Sequence, residues 1–271
     1  MKRGYRNVSG SPSISRRSML QLASAAAISL GFSGVTRAKG LALNVTYYDD
    51  FAPYSFIALD NNVTGIFIDA LNEVGHRIGV SMSHHGMPWA RAQQQIKEGQ
   101  ADAFCTLPSV ARKEYADFSN ESLLRTDNVI VFSKSNPKAS EIKKITTAED
   151  LRRFTIGTYL GDSRVDTLFK GMTVDVLADM SRVLLKVEAN RNDIAILAGV
   201  RWKYYAKVTG LRDKLDSVPF SGDPSLEYHL GIRKGYADSQ RMLSAFDKAV
   251  IQMKKDGTVD RILAIYTGDK R

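Results

Sequence analysis

The residue best placed to do chemistry is Arg112. It lies in the stretch 102–119, DAFCTLPSVARKEYADFS. An apolar strand pattern over 101–107 breaks at Pro108 and Ser109. Arg112 follows, ahead of a short polar segment that closes on Phe118-Ser119. This delivers a guanidinium from a strand end. In an open α/β sheet ligands collect beyond the carboxyl ends of the strands, and a guanidinium there holds a carboxylate through two parallel hydrogen bonds. The competing role is a solvated ion pair with Glu114 or Asp117 of the same loop.

Other reactive side chains offer less. His84 and His85 are adjacent in an expected loop, without the i, i+4 spacing of a helical metal site and with no Cys or Glu beside them, so no metal is expected. His229 reads as a satisfied structural histidine on a strand. The sequence shows no nucleophile elbow, phosphate loop or Cys-His pair. Asp49, Asp50 and Asp162 would serve as general acid or base only if buried.

The elements that position Arg112 follow a leader. Residues 1–38 carry Lys2, Arg3, Arg6, Arg16, Arg17 and Arg37 and no acid, with an apolar, small-residue stretch over 20–33. That is the layout of a secretory signal peptide. Arg16-Arg17 directly before the apolar core reads as a twin-arginine export address, and Thr36-Arg37-Ala38 places the cut after Ala38. The apolar run is short of the roughly 20 residues a bilayer span needs. The whole chain has 38 basic and 29 acidic residues, a net of +9. Without the six basic residues of the leader the balance is 32 against 29, or +3, and no basic face with interleaved aromatics remains to suggest nucleic acid. The single cysteine, Cys105, excludes an intramolecular disulfide, and no Cys stands at the cut to carry a lipid. The remaining chain is long enough for two lobes.

Strand and helix patterns alternate along it. The strand over 43–48 runs into Asp49, Asp50 and Phe51, where Pro53 throws aromatics into a loop. Ile68, Leu71, Val74 and Ile78 share a helix face, and Pro88-Trp89 opens another helix, with Arg91 expected at the surface. After a strand over 128–132 and a polar stretch over 134–140, Thr147 caps a helix with acids in its first turn. The strand over 154–159 ends in Leu160-Gly161-Asp162-Ser163 before an expected helix to Lys170. A Gly-rich turn into a helix N-terminus is an anion-binding geometry. Two roles are open to Asp162, capping that helix or meeting a ligand. Further strands over 172–177 and 193–197, with a helix over 179–191 between them, continue the αβ alternation.

A small residue, two spacers, Arg112, five spacers and Phe118-Ser119, after a strand opening Gly-x-x-Asp-Ala at 99–103, resembles the family 3 periplasmic solute-binding proteins, the receptors of amino-acid ABC importers. The aromatic-Pro-aromatic loop, the Gly65-x-x-x-Asp69 helix entry, the strand over 228–235 and Asp256-Gly257-Thr258 before a final helix extend the resemblance over 43–266. It implies an α/β fold, two-lobed and periplasmic binding protein-like II, each lobe a mixed β-sheet flanked by helices and joined by two crossover strands near 128–137 and 219–232. The implied division is signal peptide 1–38, lobe one 39–133 and 228–271, and lobe two 134–227. Carried over residue by residue, Arg112 grips the ligand carboxylate, Tyr48 and Phe51 line one wall, and the strand end Cys105, Thr106 and Leu107 borders the cleft. Trp89 stands where the family stacks an aromatic on the ligand, though a core role is equally open to it. The Gly161 amide and Ser163 are expected to complete the clamp from lobe two beside Asp162. Ala198 occupies the place where amino-acid receptors of the family keep an ammonium-binding Asp.

The implied function is a periplasmic, monomeric, non-enzymatic receptor for a small carboxylate-bearing solute, an amino acid or related organic acid, without cofactor, serving an ABC permease complex. Ala198 cannot receive an ammonium, a departure that counts against a standard amino acid and leaves the fold untouched. An exported dehydratase-like enzyme and an orphan receptor feeding a sensor kinase are the alternatives.

Overall fold

The computed structural model describes residues 42–269. The leader, its twin-arginine pair and the expected cut after Ala38 lie outside the described residues.

Among the described residues the chain builds two large sheets and a small antiparallel one of Asp50–Phe51, Ser55–Ile57 and Val63–Thr64. In the first, the spatial order is Ser81–Met87, Ala42–Tyr48, Ala103–Thr106, Leu226–Arg233 and Ala116–Phe118, with Leu124–Thr126 pairing the N-terminal part of Leu226–Arg233. The first three strands are parallel and the return strand Leu226–Arg233 is antiparallel to its neighbours. Ala42–Tyr48 has neighbours on both edges, and its Leu43, Val45, Thr46 and Tyr47 are all buried, as a strand covered on both faces must be. One face is covered by the helix Ile66–Ile78 through Ile68, Leu71 and Val74, whose spacing made it legible as a helix. The long helix Ser239–Lys255 adds Leu243, Phe246, Val250 and Met253 to the same core. Phe246 is completely buried there, worth about 1.5–3 kcal/mol by the area it removes from water.

The second sheet runs Val174–Leu177, Ile156–Tyr159, Ile194–Ala198, Asn128–Ser133 and Leu215–Pro219. Its central strand alternates between two cores. Ile194 and Ile196 pack with Phe154 and Phe169 on one face, and Ala195 and Leu197 pack with Val183 and Trp202 on the other.

The chain changes sheet at two neighbouring places. Leu124–Thr126 belongs to the first sheet and Asn128–Ser133 to the second, so the outward crossing is at Asp127. The return runs between Pro219 and Leu226. Asn128 donates through Nδ2 to Asp223 at 3.1 Å and to the Pro224 carbonyl at 3.0 Å, and the Ser225 hydroxyl donates to Asp127 at 2.5 Å. The two crossing segments are therefore bonded to each other.

Some expectations change. The sheets do not divide at 133/134 and 227/228. Asn128–Ser133 is already in the second sheet, because Val129, Ile130 and Val131 pair with both Ile194–Ala198 and Leu215–Pro219, whereas Leu226 is already in the first. The helix expected to reach Lys170 is one short 3-10 turn, Ser163–Val165, followed by turns that drop Phe169 into the core. Val165 and Thr167, β-branched, and Asp166 are poor helix formers. His84 and His85 lie on the edge strand Ser81–Met87 rather than in a loop, and His84 is held by the Tyr47 hydroxyl at 2.7 Å and by Asn72 at 2.8 Å.

The aromatic loop is fastened to the start of the helix Ile66–Ile78. Ile66 N–H donates to the Pro53 carbonyl and Phe67 N–H to the Tyr54 carbonyl, both at 2.9 Å, which occupies amides that a helix N-terminus otherwise leaves free. Gly65 makes the approach possible. It has φ of 132°, and a Cβ there would stand 2.4 Å from the Tyr54 carbonyl oxygen. Gly65→Ala is expected to cost about 1–3 kcal/mol in stability and to displace the 52–54 loop. Chemical unfolding checks it, and an unchanged midpoint would mean the loop yields freely.

Candidate functional site

Arg112 sits in the segment between two strands that both pair with Leu226–Arg233: Ala103–Thr106 along one edge and Ala116–Phe118 along the other. Its turn of helix, Val110–Lys113, starts on Ser109, whose side chain accepts from the Arg112 amide. The guanidinium donates from Nη1 to the Leu107 carbonyl at 2.8 Å and from Nε to Gln93 at 3.4 Å, and it lies 5.2 Å from the centre of the Trp89 ring. Among the described residues these partners are all neutral. Neither Glu114 nor Asp117 pairs with it, so the solvated-pair role is not the one adopted. Desolvation lowers its pKa from the ordinary arginine value, against an upward pull from Tyr115. It remains a cation at neutral pH, half-buried and without a carboxylate.

The guanidinium borders a cavity of about 200 Å³. Tyr48, Phe51, Trp89, Cys105, Thr106 and Leu107 line it with Arg112, so seven of the eleven expected residues come together. Ser55, Phe67 and Tyr228 complete the lining and were not expected. Tyr228 lies on the return strand, which reaches the site only through tertiary pairing, and Phe67 reads from sequence as plain helix core. Wider hollows, about 420 Å³ beside Asp260 and Lys203, about 460 Å³ beside Asp69 and Glu73 and about 620 Å³ beside His84 and His85, lack an aromatic wall. Cys105 is a free, buried thiol whose pKa burial raises well above the ordinary value, which leaves it protonated.

Gly161, Asp162, Ser163 and Ala198 are absent from this lining. Gly161 and Ser163 are exposed at the end of the strand Ile156–Tyr159, and Ala198 is buried as the residue before the helix Gly199–Val208. Asp162 is the cap of the short 3-10 turn. It accepts from the Arg164 amide at 3.1 Å, from the Arg164 guanidinium at 2.7 Å and from the Thr158 hydroxyl at 2.5 Å. Of its two open roles the structure adopts capping. Burial pushes the Asp162 pKa up, but Arg164 and Thr158 outweigh it and the net shift is downward.

The cation that sequence reasoning missed is Arg201. It is carried by the helix Gly199–Val208 of lobe two and is 8% exposed. Nε donates to the Ala52 carbonyl of the lobe-one aromatic loop at 3.3 Å, and Nη1 donates to the Tyr159 hydroxyl at 3.1 Å. Its guanidinium is 5.4 Å from the Phe51 ring centre, 5.0 Å from Tyr159 and 5.7 Å from Tyr205. Burial draws its pKa down and the neighbouring phenols draw it up, with a net upward shift that keeps it charged. Three flanking aromatics, Trp202, Tyr204 and Tyr205, were the only signal of its surroundings in the sequence.

A titration follows from Asp162. Its carboxyl is depressed in the folded protein, so its contribution is complete above the unfolded pKa of about 3.9 and is lost as pH falls through the lower folded value. Asp162→Asn is expected to destabilise by about 1.5–3 kcal/mol at pH 7, with the gap between variant and parent closing below about pH 4. Melting curves across pH check this, and a gap that stays constant would sink the assignment.

The geometry can be set beside known proteins. Residues 43–269 match the family described as bacterial extracellular solute-binding proteins, family 3. A probable histidine-binding protein of Neisseria gonorrhoeae is 24% identical over 241 residues, covering 84% of this chain and 83% of that protein. An ancestral cationic amino acid solute-binding protein superposes with a TM-score of 0.68 at 22% identity, over 83% of this chain and 95% of that one. A histidine kinase sensor domain similar to periplasmic binding proteins does so at 0.62 and 20% identity, over 86% and 98%. With the family match spanning nearly all described residues, the chain belongs to the family 3 bacterial extracellular solute-binding proteins.

Proposed function

We propose that the protein is an exported receptor that captures a small carboxylate-bearing solute, an amino acid or a related organic acid, between its two lobes. It then presents the closed, ligand-bound form to an ABC permease, acting as a monomer in the periplasm. The observation that carries this reading is the Arg112 guanidinium, half-buried beside an aromatic cavity with only neutral partners. A carboxylate entering the cavity gains a bidentate, partly desolvated partner, and the rings of Tyr48, Phe51 and Trp89 surround the rest of the molecule with apolar surface. Lobe two would close over it by a hinge at the bonded crossing segments, bringing the Gly161 amide and Ser163 to the ligand. The names of the histidine-binding and cationic amino acid-binding relatives support a solute of amino-acid size.

Ala198 weighs against an ammonium at the place the family resemblance marks, because no side-chain carboxylate is available from that position. Asp49 and Asp50, which adjoin Tyr48, are the nearest acids in sequence that could replace it. The likeness to a sensor domain favours a second reading, in which the same captured solute is reported to a kinase rather than transported. The capture step is common to both.

Arg112→Ala is expected to cost about 2–5 kcal/mol in solute binding, the range for removing one member of a desolvated charge pair. The check is a thermal-shift screen of the purified protein and the variant against amino acids, organic acids and small peptides, since a ligand of the folded state raises the melting temperature by mass action. A folded variant binding with unchanged affinity would refute the clamp. The export reading rests on the leader. Replacing Arg16 and Arg17 together by Lys is expected to hold the precursor in the cytoplasm, and fractionation that finds the variant exported as before removes the twin-arginine assignment.

A further inference from the structure

Arg201 is a cation taken out of water without an anionic partner among the described residues. Transferring an ion to a protein interior costs several kcal/mol even after relaxation, and the cost is ordinarily offset by a paired charge. Arg164, in the same lobe, shows the ordinary solution, with Asp162 at 2.7 Å and Asp223 at 3.6 Å. The hydrogen-bond partners of Arg201 are instead one carbonyl and one phenol, and its guanidinium lies against three rings. Each of these is a weak, neutral partner, and together they hold the group in place without cancelling its charge.

The position of that charge relates to the cavity already described. Arg201 lies over Phe51, which lines the cavity and has Tyr48 and Tyr228, two further lining residues, each 6.1 Å away from ring centre to ring centre. Beside them the buried Tyr54 is close enough to Arg201 for its phenol to feel the charge. The buried acid of lobe two, Asp162, is already engaged by Arg164 and Thr158, and the half-buried Asp223 of the crossing segment by Arg164 and Asn128. Two guanidinium groups, Arg112 from lobe one and Arg201 from lobe two, therefore flank the aromatic wall with no carboxylate among the described residues bonded to either.

We infer that Arg201 receives a second anionic group of the solute, and that the solute class is a dicarboxylate, with one carboxylate on Arg112 and the other drawn toward Arg201 as the lobes close. This rests on the carboxylate-receptor reading and adds to it the nature of the ligand's far end. Because Arg201 bridges to the Ala52 carbonyl of lobe one, the second carboxylate would also strengthen the contact that holds the lobes together.

The test compares ligands of matched shape that differ by one charge: unbranched dicarboxylates from malonate to adipate, each against its monoamide, by calorimetry on the purified protein. At least one chain length is expected to bind about tenfold or more tighter than its monoamide, with that ratio falling toward one in Arg201→Gln while Arg112→Ala weakens both ligands. Equal or tighter binding of every monoamide by the unaltered protein overturns the inference, as does a ratio that survives Arg201→Gln. If Arg201→Gln does not fold, the ratio in the unaltered protein decides alone. Arg112-dependent binding of monocarboxylates without any preference for the second charge would overturn this inference and leave the receptor reading standing. Failure of every carboxylate to bind would remove both.

Discussion

The strand Leu226–Arg233 is the constraint on which the site depends. Ala103–Thr106 and Ala116–Phe118 flank the Arg112 segment in sequence, but they do not pair with each other, and the returning strand lies between them. Each hydrogen-bonded edge fixes one end of the segment. Ser119 is bonded in turn, its amide to the Leu230 carbonyl at 2.9 Å and its hydroxyl accepting from the Leu230 amide at 3.2 Å. His229 meets the Ser119 carbonyl through its ring at 2.9 Å, a structural use of that histidine. The position of Arg112 is thus set by residues more than a hundred places further along the chain. Both crossings are needed to make the site, because lobe one cannot complete its sheet until the chain has left, built lobe two and come back.

A second set of contacts joins the aromatic wall to both lobes. Tyr54 is fully buried, stacked on Phe67 at 5.3 Å and tilted against Phe51 and Tyr228 at 4.8 and 4.9 Å. Aromatic pairs at these separations add packing energy beyond their buried area, and a cluster of four resists independent motion of any one ring. Its carbonyl is bonded to the helix Ile66–Ile78, and the neighbouring Ala52 carbonyl is bonded to Arg201 of lobe two. A shift of the wall is accordingly felt at the lobe-one helix, at the return strand through Tyr228 and at lobe two through one guanidinium.

What the sequence made legible follows from how local each signal is. The helix Ile66–Ile78 and the strands Ala42–Tyr48 and Ile194–Ala198 were readable because their periodicity is contained within the element. The loop that carries Arg112 was readable because a break at Pro108-Ser109 after an apolar strand marks it, while the role of its guanidinium came only from the family resemblance. The crossing at Asp127 was misplaced because a strand's membership of a sheet depends on its partners, and nothing in Asn128–Ser133 names them. The helix expected after Gly161 was overread. Its glycine and acid are those of a helix start, but Asp162 spends its lone pairs on Arg164 and Thr158, and the turn that follows is too short to carry a helix dipole. Arg201 was invisible because a cation on a helix reads as surface until the fold shows another lobe covering it.

Arg164, Arg112 and Arg201 then differ in how their charge is met. Arg164 has two acids and also lies 5.5 Å from the Phe169 ring, so its charge is settled within lobe two, and it joins the turn at Asp162 to the crossing segment at Asp223. Arg112 and Arg201 keep uncompensated charge in settings that desolvate them, one half and one almost wholly. A domain has only about 5–15 kcal/mol of net stability, so two desolvated cations consume an appreciable fraction of it. Local choices that oppose stability without evident local gain collect at functional sites. Here both such choices border one aromatic wall, and each is fixed by neutral hydrogen bonds that orient the guanidinium while leaving its charge open to an incoming anion.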